Sequence, residues 1–139
     1  MLPNFHWLKE VCSIRGWDDQ HETLTMSRSG FRAFIFELLR QFPFDEDWYL
    51  DRYPDVRKAV AEKKLASGWQ HYVEFGYFEG RLPGLDGFDA RRYIERYPDL
   101  AHLAQRRDFE DAAVSHFLAH GFREGRRGSS IEVSTSEYR

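Results

Sequence analysis

One cysteine, Cys12, stands in 139 residues, so no internal disulfide forms and nothing in the chain calls for an oxidising compartment. Long apolar runs are missing too, and no stretch approaches the ~20 apolar residues that cross a bilayer. Residues Met1 to Cys12 have neither a basic start nor a continuous apolar core. Hence no export signal is expected there, and cytoplasmic residence is the expectation. Excess charge of one sign is absent: 20 Lys and Arg against 23 Asp and Glu leave a net charge of −3. That balance gives no bulk attraction for nucleic acid or anionic lipid, and Arg123, Arg126 and Arg127 make only a local basic end. Neither nucleic acid nor membrane insertion is therefore expected.

Catalytic and cofactor signatures are equally scarce. There is no Gly-x-Ser-x-Gly elbow, no HExxH or paired His/Cys cluster, and Cys12 has no histidine partner in a motif. The glycines of GYFEGRLPG follow a helical pattern, where they serve turns rather than an anion cradle. No catalytic residue, metal or cofactor is expected, and the chain reads more readily as a binder than as an enzyme.

What the chain has in quantity is aromatic side chains, 17% of residues. With 31% charged residues and a mean hydropathy of −0.66, those rings must be concentrated on a few buried faces. They fall largely within a pattern that occurs twice. Phe44, Asp45, Tyr49, Arg52, Tyr53, Pro54 and Asp55 match Phe88, Asp89, Tyr93, Arg96, Tyr97, Pro98 and Asp99 at a constant offset of 44. Beyond one inserted residue the offset becomes 45, pairing His71, Gly76, Glu79, Gly80 and Arg81 with His116, Gly121, Glu124, Gly125 and Arg126. A match on both sides of a single insertion marks an internal repeat.

The expected fold is all-α: two pseudo-symmetric three-helix repeats, residues 44–83 and 84–127, packed with an N-terminal amphipathic helix around one shared core. Within residues 1–25, Phe5, Leu8, Val11 and Cys12 suit one face of a short helix and Gly16–Glu22 reads as a loop, with Val11–Ile14 and Thr23–Met26 pairing as strands in the competing reading. Phe31, Phe34, Ile35, Leu38 and Leu39 recur at helical spacing before Pro43, which predicts a helix over residues 31–42 with Ser27 or Ser29 as its cap. Within the repeats, Asp45 and Asp89 are read as N-caps, and Asp55 and Asp99 as caps of the second helix after Pro54 and Pro98. Ser67 with Gln70 has capping-box spacing, and Gly76 and Gly121 are read as left-handed helix ends. Residues 128–139, rich in Ser, Thr and Glu, are expected to be a disordered tail.

Candidate binding residues follow from residue chemistry. His71 and His116 are equivalent, and as metal ligands they would need acids such as Asp45, Asp89, Glu79 or Glu124. A histidine satisfied in a core is the favoured reading for both, with His120 one turn beyond His116. Arg81 and Arg126 offer donor forks for a carboxylate or sugar hydroxyls, or else tie a turn to an aspartate such as Asp55. Trp48, Trp69 and Tyr77 belong to an aromatic set able to stack on a sugar ring. Trp48 and Tyr77 are the expected surface members, because Arg92 replaces Trp48 in the second copy.

The strings FDEDWYLDRYPDV and HYVEFGYFEGRLP resemble a bacterial repeat module of the form FDxxxYLxxYPDV, then HYxxxGxxEGRxP. That module is found beside surface-polysaccharide glycosyltransferases and as small stand-alone proteins. The resemblance covers Phe44 to Pro83 closely; the second copy departs from it at Arg92, Ile94 and Phe117. It implies a setting in surface-polysaccharide or related biosynthesis. The resulting expectation is a non-enzymatic binding or adaptor module whose partner is a glycan or a protein. Self-association into a homo-oligomer and a small enzyme using histidines and carboxylates between the repeats are the alternatives.

Overall fold

The computed structural model describes residues 4–128. The chain is mostly helical and divides into two compact units, Met1–Gly84 and Leu85–Arg139. Among the described residues there is no strand, only one antiparallel bridge between Arg15 and Thr25. The segment expected to form the C-terminal tail lies outside the described residues from position 129 onward. Gly128 is buried, and its carbonyl accepts from Asp89 N at 2.9 Å.

The first unit opens with α1 (Phe5–Val11), capped by the Asn4 side chain. The helical reading of the N-terminal segment therefore holds; the competing strands do not form, and the isolated bridge to Thr25 falls at Arg15, outside Val11–Ile14. Helix α2 (Arg28–Leu39) starts at Ser27, whose Oγ accepts from Gly30 N at 2.9 Å. It ends at Leu39, short of the expected Phe42. Only part of its apolar stripe is covered. Ile35 and Leu39 are buried with Tyr49, Val56 and Tyr72, whereas Phe31 and Leu38 are exposed.

Helices α3 (Glu46–Arg52) and α4 (Pro54–Ala61) follow, then α5 (Gly68–His71), which runs on into a π turn, Tyr72–Gly76. The aspartate cap of α3 is present, Asp45 Oδ1 accepting from Trp48 N at 3.0 Å. Asp55 does not cap α4. Proline already occupies the first helical position, so Asp55 sits one residue inside the helix and its carboxylate turns to Arg81. Ser67 caps α5, and Gln70 reaches back to Ala66 N at 2.8 Å, one residue earlier than a standard capping box.

The second unit contains α6 (Ala90–Arg96), a 3₁₀ helix (Pro98–Leu103), and α7 (Phe109–His116), which continues into a π turn, Phe117–Gly121. Its middle helix differs from α4 for a packing reason. Leu100 and Leu103, three residues apart, are the buried pair here, and side chains at i and i+3 align on a 3₁₀ helix; Val56 and Val60 stand four apart, as an α-helix requires.

Each π turn ends in a glycine, but not in the left-handed conformation expected of it. Positive φ occurs instead at Gly80 and Gly125, at 73° and 71°. Gly76 and Gly121 are needed for closeness: a Cβ there would overlap the hydroxyl of Tyr49 or Tyr93, respectively. The wide turn shows in its bonding, with Tyr77 N donating to Tyr72 O at 2.8 Å and Arg81 N to Gly76 O at 2.8 Å, both spanning five residues.

Candidate functional site

The residues that recur in the two copies assemble into one clasp in each unit. In the first, fully buried Tyr49 places its hydroxyl 3.0 Å from His71 Nδ1. Burial lowers the pKa of His71, helped by the Arg81 charge, and burial raises that of Tyr49 well above the phenolic range. The phenol therefore keeps its proton and pairs with an imidazole held toward its neutral form.

Arg81 closes the clasp. Its Nη1 and Nη2 donate to Asp55 Oδ1 and Oδ2 at 3.0 and 2.8 Å, and its Nε donates to Glu79 Oε2 at 2.7 Å. The guanidinium lies 4.8 Å over the Tyr53 ring, and the Tyr53 hydroxyl accepts from Leu82 N at 3.0 Å. The arginine's hydrogen bonds hold Asp55 below the usual carboxylate range. The tyrosine, the aspartate and the Glu-Gly-Arg turn are thereby locked together.

The second unit repeats the arrangement. Tyr93 OH stands 3.0 Å from His116 Nδ1. Arg126 donates from Nη1 to both Asp99 oxygens at 3.0 and 2.9 Å and from Nε to Glu124 at 2.6 Å. It stacks 4.8 Å over Tyr97, whose hydroxyl accepts from Arg127 N at 2.6 Å. His120 is exposed, with its ring 5.5 Å from that of His116. Among the described residues no three His, Cys, Asp or Glu side chains converge on one point.

His71, His116, Arg81 and Arg126 are thus drawn inward. Trp69 is half-buried, 5.3 Å from Phe44 and 6.4 Å from Phe36, so it serves the seam between α2 and the repeat. Trp48 is half-buried with its edge toward Tyr53 at 6.3 Å. Tyr77 remains exposed, its ring 5.5 Å from that of Phe78.

Beside Phe78 lies a cavity of about 400 Å³, lined by Phe31, Phe75, Phe78, Arg28, Arg32, Glu74 and Glu79. The three phenylalanines are 45%, 48% and 46% exposed. Arg32 lies 5.4 Å over the Phe78 ring and donates to the Glu74 carbonyl at 2.7 Å. Arg28 has no ion pair among the described residues. Chemically this is an aromatic floor with cations at its edge. Sequence reading assigned Phe31 to the core and passed over Arg28 and Arg32. Their signal was the i, i+3, i+4 spacing that sets Phe31 between two arginines on one helical face.

No protein-family model, curated protein or solved structure matches this chain. No helix among the described residues is long and apolar enough to cross a membrane.

Proposed function

We propose that the protein is a non-enzymatic binding and adaptor module of bacterial surface-polysaccharide or related biosynthesis, presenting an aromatic and arginine-lined groove to a glycan or protein partner. The observation that carries this reading is the cavity of about 400 Å³ beside α2, where Phe31, Phe75 and Phe78 are exposed next to Arg28 and Arg32. Arg32 ties α2 to the Glu74 carbonyl and Phe75 lies against His71, yet the three rings keep nearly half their surface open to solvent. Arg81 supports the groove indirectly, through its bond to Glu79 in the adjoining turn. The matching clasp contacts support taking the two units as copies of one design, and the lone cysteine fits a cytoplasmic setting.

A second reading, interaction with protein alone, draws support from further exposed apolar side chains on the same unit: Phe5, Trp7, Leu38 and Phe42. Glycan-array and affinity-capture measurements with the chain and its Phe75→Ala and Arg32→Ala variants separate the two. Array binding that both substitutions abolish supports a glycan partner. Protein capture with a silent array selects the second reading, and binding indifferent to both substitutions removes the groove from either.

A further inference from the structure

Helix α2 packs on the π turn Tyr72–Gly76, and the cavity of about 400 Å³ opens along that seam. Arg28, Phe31 and Arg32, which share one face of the helix, form its α2 side. Phe75 from the π turn and Phe78 just beyond it supply the other rings. The charges around those rings do not cancel. Glu79 is already matched by Arg81 at 2.7 Å. Arg28, Arg32 and Glu74 remain, two cations against one carboxylate, and none of the three has an ion pair among the described residues.

We propose that this cavity binds a pyranose carrying a single carboxylate, a hexuronate unit of an acidic saccharide. The inference rests on the reading of the cavity as a binding surface and names what that surface selects. A sugar ring has a C–H face that packs on aromatic rings and hydroxyls around its edge, which suits half-exposed phenylalanines bordered by polar side chains. The surplus of one positive charge then selects a monoanion over a neutral sugar. Arg28 offers the carboxylate an unengaged planar fork. Arg32 is held in place by the Glu74 carbonyl at 2.7 Å and by Phe78, over which it lies at 5.4 Å, so less ordering is needed on binding. Glu74 sets the upper limit. Its carboxylate, which accepts from Gln70 Nε2 at 3.3 Å, repels a second negative charge and disfavours a sugar phosphate.

Size favours a saccharide over a protein partner. A cavity of about 400 Å³ lies toward the small end of small-molecule sites, whereas a stable protein contact covers about 800 Å² on each side. An aspartate or glutamate reaching Arg28 from a protein brings no ring face to the phenylalanines.

The probes are methyl glucuronoside and methyl galacturonoside, with the matching neutral glucoside and galactoside. Each is titrated into the full chain and followed by amide chemical shifts at Arg28, Arg32, Phe75 and Phe78. The acidic sugars are expected to bind roughly threefold to tenfold more tightly than their neutral counterparts at low salt, with the difference shrinking as salt is added. Arg28→Gln should erase that preference, and Phe75→Ser should weaken acidic and neutral sugars alike. Both side chains are exposed, and circular dichroism melts check that the variants fold. Neutral sugars that bind as tightly as the acidic ones, at the same residues, overturn the acidic preference and leave the glycan reading standing. No shift with any sugar overturns both, as does a glutamate-rich peptide that occupies the cavity where sugars do not. Tighter binding of a glucose phosphate than of either uronide overturns the choice of a singly charged ligand.

Discussion

The Tyr49 hydroxyl bonds His71 Nδ1 at 3.0 Å and at the same time occupies the space a side chain at position 76 would need. Glycine to alanine inside a helix ordinarily stabilises. Here Gly76→Ala should cost about 1 to 3 kcal/mol, because the added methyl is forced against a fully buried phenol. The cost should shrink when Tyr49→Phe removes the oxygen, so a urea-unfolding double-mutant cycle is expected to show strong coupling. Additive effects would place the strain elsewhere.

Arg81 and Asp55 illustrate a different limit. The arginine side chain is 21% exposed but its aspartate is 61% exposed, so solvent screens much of their attraction. Arg81→Ala should cost on the order of 1 kcal/mol, mostly through the lost fork and the lost stacking on Tyr53. Arg81→Lys should recover only a fraction, since an ammonium cannot span both Asp55 oxygens and Glu79. Equal stability of the Arg81→Lys variant and the wild-type chain in urea titrations would contradict the fork.

The caps at Asp45, Asp89, Ser67 and Ser27 were legible in the sequence because a cap bonds an amide two or three residues away. The clasps join residues more than twenty positions apart, so repetition could flag Tyr49, His71, Asp55 and Arg81 without pairing them all. Only Asp55 with Arg81 was anticipated. Gly76 shows why the remainder was hidden: a missing Cβ serves a left-handed turn and a close approach equally, and only a tertiary neighbour separates the two. Phe31 was misplaced for a related reason. Periodicity identifies the face of a helix but not what covers its first turn.

Stability should fall in acid in two stages. His71 in the unfolded chain takes up a proton near 6.5, while in the fold it does so only at lower pH, because burial and Arg81 oppose the charge. More protons are bound by the unfolded state in that interval, so the contribution is complete above pH 6.5 and is lost as pH falls through the folded value. Asp55, depressed by Arg81 from 3.8, adds a second loss at lower pH by the same sign. In His71→Asn the amide oxygen can still accept from Tyr49, and the first stage should vanish from the pH dependence of the urea midpoint while the second persists.

Exposed phenylalanines in the cavity beside α2 should be separable from the fold. Phe75→Ser and Phe78→Ser are expected to change unfolding free energy by about 0.5 kcal/mol or less, as surface substitutions do. Tyr49→Ala, which empties a fully buried site, should cost about 3 to 5 kcal/mol. A large destabilisation by either serine substitution would mean that these rings are core, and the groove would lose its standing as a surface kept for a partner.

Glu46 provides the sharpest contrast between the two copies. Its carboxylate accepts from Gly68 N and Trp69 N, so it serves as a borrowed N-cap for α5, a helix of a single turn. Such a short helix has too few internal bonds to hold its own start. Glu46→Ala should cost about 1 to 2 kcal/mol, in the range of lost caps, and should speed amide exchange at Gly68 and Trp69 ahead of global unfolding. In the second unit the cap is dispensable, because α7 begins at Phe109 and the position equivalent to Gly68, Ala113, lies inside an already formed helix. Amides there should exchange no faster than the rest of α7, even though position 90 is already alanine. Equal protection at Gly68 with and without the Glu46 carboxylate would show that Ser67 alone holds the helix start.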